Sequence, residues 1–256
     1  MAEEVGAVIR HRAAVIGSPV GHSLSPVLHR AAYAGLGLDD WSYERRETAP
    51  PELPGLLAEL AAPVQGGPAW AGLSVTMPHK QTLLTHLDVI DPLAEAVGAV
   101  NTVVAQRSGA GGALLAGFNT DVAGIVGALR ETTRKQALLP QDDRLRVERA
   151  VVLGSGATAC SALAALGELR ASRITVVARR HAGPGRALSA AHRMGLDIEP
   201  LTWKPADSTS NTEAAQRLAA ADVVISTLPA HAADPLAPPL RQALDQAEGT
   251  RPGAVM

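Results

Sequence analysis

The sequence predicts an α/β fold in two domains, with a division near residue 121. Short apolar runs of strand length alternate with helical patterns in both halves, as expected of strands joined by helical crossovers. Hydrophobic residues make up 46% of the 256 residues, yet only one is Phe, so Ala, Val, Leu and Ile must form the core. Such a core suits helices packed on a parallel sheet, and the length is sufficient for two modest domains.

The first half opens with a predicted strand over residues 13–17, which is apolar and ends at a glycine. A helix is expected from Ser25 to about Gly35, because Ser is a favourable N-cap and Pro26 fits the first turn. The further elements predicted in this half are strands over 41–46, 71–75, 99–105 and 114–118, a helix over 53–60, a loop over 61–68 and a helix beginning at Pro78.

The second half begins with a helix predicted from Thr120–Asp121 to about Arg130. The polar residues 131–149 are then expected to connect the domains. A pattern of strand, glycine-rich turn and helix restarts at Ala150, with strands predicted over 150–153, 174–178 and 222–226. Because strands and helices alternate, we expect parallel sheets with right-handed crossovers.

Composition excludes several classes of function. The formal net charge is only −2 and no basic stripe is present, so we expect no nucleic-acid partner. Cys160 is the only cysteine, which rules out an internal disulfide and a cysteine-rich metal site. The N-terminus is acidic, and no apolar run approaches the ~20 residues that span a bilayer. We therefore expect a cytoplasmic protein without a membrane partner; a monomer or homodimer is the expected assembly.

Four of the eight histidines form two pairs with a spacing of seven residues, His22 with His29 and His79 with His86. This spacing places two side chains on one helical face, but metal ligands on one helix are typically four residues apart. We interpret these histidines as solvent-facing or cap residues and predict no metal site.

A dinucleotide fingerprint follows the strand that begins at Ala150. The pattern is Gly154-x-Gly156-x-x-Ala159, between a predicted strand and a predicted helix. The first glycine permits the tight turn, the second lets the backbone approach a pyrophosphate, and the helix N-terminus offers N–H groups. The candidate cofactor-binding residues are Gly154, Ser155, Gly156, Ala157, Thr158 and Ala159. The alternative is an ordinary glycine-rich turn between strand and helix.

The next strand indicates which dinucleotide is bound. NAD enzymes place an acidic residue about 20 residues after the loop, whereas this chain has Arg179 and Arg180 after Ala178. Because a guanidinium matches a 2′-phosphate, the sequence predicts NADP as the cofactor. The alternative is a pair of solvated arginines at a strand end.

Lys80 and Asp121 are the candidate acid/base pair, since each follows a short apolar run where side chains leave a sheet. Reduction of a ketone by hydride requires a proton for the forming alkoxide, which a lysine can deliver. The alternative is a surface salt bridge. Ser23 and Ser25 offer two hydroxyls near a helix N-terminus, suited to a carboxylate. Their alternative roles are a loop residue and a helix cap.

Several motifs together resemble the shikimate dehydrogenase family over about residues 13–230. They are Gly21 to Pro26, Ser74 to Lys80, Gly98 to Thr102, Asn119 to Gly124, Gly154 to Ala159 with Arg179, and Ser226 to Pro229. Their order along the chain matches that of the family, which is more specific than any single motif.

The resemblance implies a role for each candidate residue. It implies that Ser23 and Ser25 bind the substrate carboxylate, and that Lys80 is the acid/base residue paired with Asp121. Thr76 and Asn101 are implied to contact the substrate, Arg179 the 2′-phosphate of NADP, and Thr227 the nicotinamide side.

The implied reaction is NADPH-dependent reduction of 3-dehydroshikimate to shikimate, within aromatic amino-acid biosynthesis. The implied architecture is an N-terminal α/β substrate domain, residues 10–121, and a C-terminal Rossmann NADP-binding domain, residues 122–256, with the active site between them.

Two segments depart from the family pattern. Ala157 stands where the family commonly has a further glycine, but alanine is also a small residue, so we expect little effect on the loop. After Pro229 the family continues through a Tyr-containing turn to a helix with a substrate-binding Gln, whereas this chain ends at Met256. Gln242 and Gln246 lie in a different context. We expect a truncated chain, or another element that covers the gap.

Three alternatives stay open from the sequence. A quinate or aminoshikimate dehydrogenase shares the same scaffold, although Ser23, Thr76 and Arg179 favour shikimate and NADP. A shortened paralogue could bind NADP without catalysis. A non-functional fragment is the third alternative, and poor solubility would favour it.

Overall fold

The computed structural model describes residues 8–135 and 147–248. The chain divides into two compact units, Met1–Thr120 and Asp121–Met256. The described part contains no helix with the length and apolar character needed to cross a membrane.

The first unit is built on a six-stranded sheet with the order β2-β1-β3-β5-β6-β4. Its elements are β1 (His11–Gly17), α1 (Ser25–Leu36), β2 (Trp41–Glu47), α2 (Leu53–Ala61), β3 (Ala69–Val75), β4 (Val89–Ile90), α3 (Pro92–Val97), β5 (Thr102–Arg107) and β6 (Ala113–Phe118), with short 3₁₀ turns at Pro50–Glu52 and Thr82–Thr85. The strands and helices predicted over residues 13–60 and the strand over 71–75 are thereby confirmed.

Strand β1 is buried on both faces because its side chains alternate between two apolar clusters. Ala14 and Ile16 pack with the leucines of α2, whereas Ala13 and Val15 pack with Tyr43 on the other face. A strand that is covered on both faces has a continuous apolar sequence, and residues 13–17 follow this pattern.

The prediction of a wholly parallel sheet is wrong for the first unit. Strands β1, β2 and β3 are parallel, but β5 pairs antiparallel with β3 and with β6. The link from β5 to β6 is only residues 108–112, and a parallel connection needs a crossover of a dozen or more residues. The turn-rich composition of that link therefore dictated an antiparallel hairpin.

Strand β4 and helix α3 were not predicted from the sequence. Asp91 caps α3 by accepting hydrogen bonds from the N–H groups of Leu93 and Ala94, and Pro92 occupies the first turn. Gly98 ends the helix with a left-handed φ of 77°. Asp-Pro before and Gly after an apolar stretch are ordinary helix boundaries, so the signal was present.

The second unit contains a four-stranded parallel sheet with the order β10-β7-β8-β9. Its elements are α4 (Asp121–Lys135), β7 (Arg149–Leu153), α5 (Ala157–Glu168), β8 (Arg173–Ala178), α6 (Ala187–Met194), β9 (Glu199–Thr202), α7 (Ser208–Ala219), β10 (Val223–Ser226) and α8 (Ala237–Glu248), with a 3₁₀ turn at Asp234–Leu236. The three strands predicted here are confirmed, as is the parallel arrangement.

The topology of this sheet locates a crevice for a ligand. The chain passes from β7 outward to β8 and β9, then returns to place β10 on the opposite side of β7. Ligands of open α/β sheets bind at the carboxyl ends of the strands where the order reverses, here β7 and β10. This is the Rossmann-type arrangement expected from the sequence, and the α/β fold class is confirmed.

Residues 131–135, expected within a connection between domains, are the last turns of α4 in the second unit. Residues 136–146 and the chain end from 249 onward lie outside the described residues.

Candidate active site and dinucleotide loop

Ser23 and Ser25 lie in the segment that joins β1 to α1. The Ser23 hydroxyl donates to Ser25 Oγ over 3.2 Å and accepts the Ser25 main-chain N–H over 3.3 Å. The prediction that Ser25 caps α1 is wrong: Leu24 holds the cap position, without a side-chain hydrogen bond, and Ser25 is the first helical residue. The half-buried pair therefore presents two hydroxyls beside the start of a 12-residue helix.

Helix α1 and strand β2 hold this serine pair from one side. His29 stacks on Tyr43 with ring centroids 3.9 Å apart, and its Nδ1 atom lies 2.8 Å from the carbonyl of Ser25. The buried Tyr43 hydroxyl donates to Ser74 Oγ over 2.7 Å. Burial raises the pKa of Tyr43, while the hydroxyls of Ser74 and Ser25 oppose the shift. Tyr43 therefore stays a neutral hydrogen-bonding group at physiological pH.

Tyr43 was not among the site residues predicted from the sequence. Residues 43, 45 and 47 occupy alternate positions of β2, and alternate positions of a strand share one face. That periodicity is the signal that could have identified Tyr43.

The segment from Thr76 to Lys80 forms a turn, and the helix predicted to begin at Pro78 is not formed. The carbonyl of Met77 accepts a hydrogen bond from the Ser18 N–H at 3.0 Å, and the carbonyl of Lys80 accepts the Val100 N–H at 2.7 Å. These two carbonyls are bonded to other segments, so they are unavailable to N–H groups four residues later in a helix. Tertiary hydrogen bonds thus position the half-buried Lys80.

Thr76 sits where β3 approaches the end of β1. Its N–H donates to the carbonyl of Ile16 over 2.9 Å, and a Cβ added at Gly17 would collide with the Thr76 side chain and the Met77 carbonyl. Only glycine permits this close approach at position 17.

The expectation that His79 is a solvent or cap residue is wrong. His79 is 1% exposed, and its Nε2 lies 2.7 Å from the carbonyl of Thr48, so Nε2 carries a proton and donates. Thr48 in turn donates its N–H to the Gly17 carbonyl. His79 therefore links the turn before Lys80 to the end of β2.

Asn101 belongs to a polar cluster in which it is bonded to Thr120 by both ends of its amide. Its Nδ2 donates to Thr120 Oγ1 over 2.9 Å, and its Oδ1 accepts the Thr120 N–H over 2.9 Å. Asn119 is buried and donates to the Ala99 carbonyl over 2.9 Å. These bonds hold the last residues of the first unit, which ends at Thr120, against the segment from Ala99 to Asn101. Lys80 belongs to this unit, whereas Asp121 is the first residue of α4 in the second, so their pairing stays a prediction.

The glycine-rich loop that is predicted to bind a dinucleotide lies between β7 and α5. Gly154 has a φ of +108°, and a Cβ at this position would collide with Thr227 Oγ1. Thr227, directly after β10, donates its N–H and its hydroxyl to the carbonyl of Leu153, over 2.9 and 2.8 Å. Gly156 is the N-cap of α5, and a Cβ added there would meet no atom within 4 Å. The loop is therefore close-packed at its first glycine and open at its second.

The other loop residues divide into packed and exposed positions. Ser155 is 4% exposed, and its Oγ accepts the N–H of Ala187 over 3.0 Å, which ties the loop to the first residue of α6. Ala159 is fully buried in the core under β7 and β8, while Thr158 is exposed. Ala159 and Ser155 thus shape the loop, and main-chain groups around Gly156 are the ones that can contact a phosphate.

Arg179 and Arg180 directly follow β8 and are both exposed. They stand at the carboxyl end of the strand adjacent to β7, at the same edge as the glycine loop. His181 follows them but is buried, and burial lowers its pKa, although the main chain at Leu201 and Ala178 opposes the shift. The charge offered at this edge therefore comes from the two guanidinium groups.

Comparison with known proteins gives a consistent result. A model described as the shikimate dehydrogenase substrate binding domain matches residues 15–103. Shikimate dehydrogenase (NADP(+)) of Citrifermentans bemidjiense is 39% identical over 199 residues, which cover 78% of this chain and 62% of that protein. The chain spans between 53% and 64% of the length of the first curated relatives it matches.

Two solved structures are similar over more of their length. A shikimate 5-dehydrogenase from Mycobacterium fortuitum has a TM-score of 0.64 and 36% identity, over 94% of this chain and 86% of that one. The Thermus thermophilus enzyme, solved in complex with NADP(H) and shikimate, has a TM-score of 0.62 and 35% identity, over 85% of this chain and 68% of that one.

Proposed function

Because the chain belongs to the shikimate dehydrogenase family, we propose that it catalyses the reversible NADP-dependent reduction of 3-dehydroshikimate to shikimate. The observation that carries the proposal is the turn from Thr76 to Lys80, which hydrogen bonds from Ser18 and Val100 hold at the carboxyl end of β3. A lysine fixed in this way suits proton transfer, which needs a group held in place relative to its substrate.

The residues of the second unit fit a dinucleotide. Gly154 adopts a φ suited to glycine, Gly156 leaves open space at the N-terminus of α5, and Arg179 is exposed at the end of the next strand. We propose that N–H groups near Gly156, Ala157 and Thr158 bind the pyrophosphate, that Arg179 binds the 2′-phosphate, and that Thr227 borders the nicotinamide. When bound, NADPH supplies the hydride that reduces the ketone carbon.

Lys80 performs the proton transfer in this proposal. In the reduction its ammonium group donates a proton to the alkoxide oxygen that forms at the former ketone, which completes the alcohol. In the reverse direction the neutral amine accepts that proton. The carboxylate of Asp121 orients the lysine and stabilises its charged form.

The first unit supplies the contacts that orient the substrate. We propose that Ser23 and Ser25 donate hydrogen bonds to its carboxylate, and that Thr76 and Asn101 bind its ring hydroxyls. The bonds from Asn101 to Thr120 restrict the amide to one orientation, which reduces the entropy lost when the substrate binds.

An assay of the purified chain tests this proposal. NADPH formation is measured from shikimate with NADP, and NAD and quinate serve as parallel controls. We expect turnover with shikimate and NADP that is lost in Lys80→Ala and kept in Lys204→Ala, which removes an exposed lysine of the second unit. Preferred turnover of quinate would establish the quinate alternative. NADP binding by folded protein without turnover on any of these substrates would establish the non-catalytic one.

Location and assembly are part of the proposal and are tested separately. We propose a cytoplasmic protein, which cell fractionation would contradict if the chain sedimented with membranes. We propose a monomer or homodimer, which light scattering on the purified chain distinguishes from larger assemblies.

A further inference from the structure

One face of strand β2 contacts the serine segment, residues 20–29, at three points. Tyr43, Arg45 and Glu47 are alternate residues of the strand and so share that face. Tyr43 packs against His29, whose Nδ1 lies beside the Ser25 carbonyl. Arg45 Nε donates to the Ser23 carbonyl over 2.8 Å, and Glu47 accepts the Val20 N–H over 2.9 Å. The strand therefore supports the main chain that carries the two serines.

Arg45 differs from the other two because it has donors left over. Its Nε is bonded to Ser23, while neither of its Nη groups has an acceptor within residues 8–135 and 147–248. The side chain is exposed, so these groups are open to a ligand in solution. A guanidinium held at Nε keeps its planar fork in one place, and this fork matches a carboxylate.

The nearby acidic groups leave this charge available. Glu47, two residues along the same face, binds the main chain of Val20, and that hydrogen bond is the main reason why the pKa of Glu47 is lowered. Glu44 points to the opposite face of β2, where Arg46 pairs with Glu59 over 2.9 Å. Arg45 is therefore a cation that contacts the main chain of Ser23 and has no acidic partner among the described residues.

We propose that Arg45 supplies the positive charge that binds the substrate carboxylate beside Ser23 and Ser25, and so selects anionic over neutral substrates. This inference rests on the proposed function, which places the carboxylate at the two serines. The hydroxyls give direction to the contact, whereas Arg45 gives it charge selectivity. Binding should accordingly weaken as salt screens the guanidinium.

The test compares shikimate with its methyl ester, which keeps the ring hydroxyls and removes the negative charge. Binding of both is measured by calorimetry on the chain, and KM and kcat are measured where turnover is present. We expect Arg45→Gln to weaken shikimate binding roughly tenfold, the size of a partly screened charged hydrogen bond, with kcat nearly unchanged. Binding of the ester should stay the same, and added salt should affect the variant less than the parent.

Two further variants show whether Arg45 acts through its charge on the ligand or by holding the serine segment in place. Arg45→Lys keeps the charge, so it should retain most of the preference for shikimate over the ester. Arg241→Gln removes an exposed arginine from α8 and should leave the binding of both ligands unchanged. If Arg45→Gln weakens both ligands equally, Arg45 only supports the serine segment and the inference is wrong, while the proposed function stands. If the parent chain binds neither ligand, the proposed function is overturned and the inference with it.

Discussion

The main-chain carbonyl of Lys80 accepts a hydrogen bond from the main-chain N–H of Val100 at 2.7 Å. Val100 is fully buried and immediately precedes Asn101, the residue bonded to Thr120. The lysine backbone is thus joined to the segment that carries a proposed substrate ligand. Because the bond uses only main-chain atoms, side-chain changes at position 80 should leave the turn intact.

Lys80→Arg should separate positive charge from proton transfer. Arginine keeps the charge but does not deprotonate in proteins, so we expect kcat to fall by at least about 10²-fold. The melting temperature should stay close to that of the parent, since the Val100 bond is retained. Steady-state kinetics and a thermal melt measure the two effects, with Lys204→Arg as the control. A kcat equal to that of the parent would show that Lys80 is not the acid/base group.

Arg179→Asp should shift cofactor preference toward NAD. The change removes a cation suited to the 2′-phosphate and introduces an acid that can bond a ribose hydroxyl. We expect the ratio of kcat/KM for NADP over NAD to fall by at least about tenfold, the effect of ~1.4 kcal/mol. Arg180→Asp, with the same charge change one residue later, should have a smaller effect. Equal effects, or none, would place the phosphate contact elsewhere.

Alanine substitutions at the two loop glycines should have opposite consequences. Gly154→Ala puts a Cβ against Thr227 Oγ1 at a φ of +108°, so we expect the free energy of unfolding to fall by about 1–3 kcal/mol. Gly156→Ala meets no atom, so stability should change little, while the methyl group obstructs the pyrophosphate and weakens NADP binding. Urea unfolding and NADP titration measure both effects. A stable Gly154→Ala variant would contradict the structure of the loop.

His181 should make stability depend on pH. Burial holds its pKa in the folded chain below the ordinary value of 6.5, so the unfolded chain takes up a proton first as pH falls. Stability from this group is therefore complete above about pH 6.5 and is lost progressively below it, until the folded-state pKa is passed. We expect melting temperatures between pH 8 and pH 5 to fall less in His181→Leu than in the parent. His192→Leu, at an exposed position, should follow the parent. Parallel curves for His181→Leu and the parent would contradict this origin.

The predictions that succeeded rest on local signals. Strand β1 and the strand–glycine–helix sequence at β7 and α5 were recognised because apolar runs and glycine positions report backbone geometry directly. The family resemblance likewise came from short contiguous motifs, each of which carries its own chemistry. Helix α3 was not predicted, although Asp91 and Gly98 are ordinary boundary residues at its two ends.

Several of the predictions that failed concern segments whose hydrogen-bond partners are distant in the sequence. Pro78 carried an ordinary helix-start signal, but Ser18 and Val100 bond the carbonyls that a helix would need. His79 was predicted to be a solvent-facing or cap residue. It is buried, and its hydrogen-bond acceptor is the carbonyl of Thr48, 31 residues away in the sequence. Arg45 is one of four charged residues in β2, and nothing in the sequence sets it apart from the others. Its hydrogen bond to the Ser23 carbonyl is visible only in the structure.

The α/β class, the glycine-rich turn after β7 and the family could be predicted from the sequence, because these follow from periodicity and from the few residues that a given backbone turn permits. The antiparallel pairing of β5 with β3, the turn that carries Lys80 and the contacts of β2 with the serine segment could be known only from the folded chain. These depend on hydrogen bonds between segments, and a main-chain carbonyl has the same chemistry at every position until folding provides its donor.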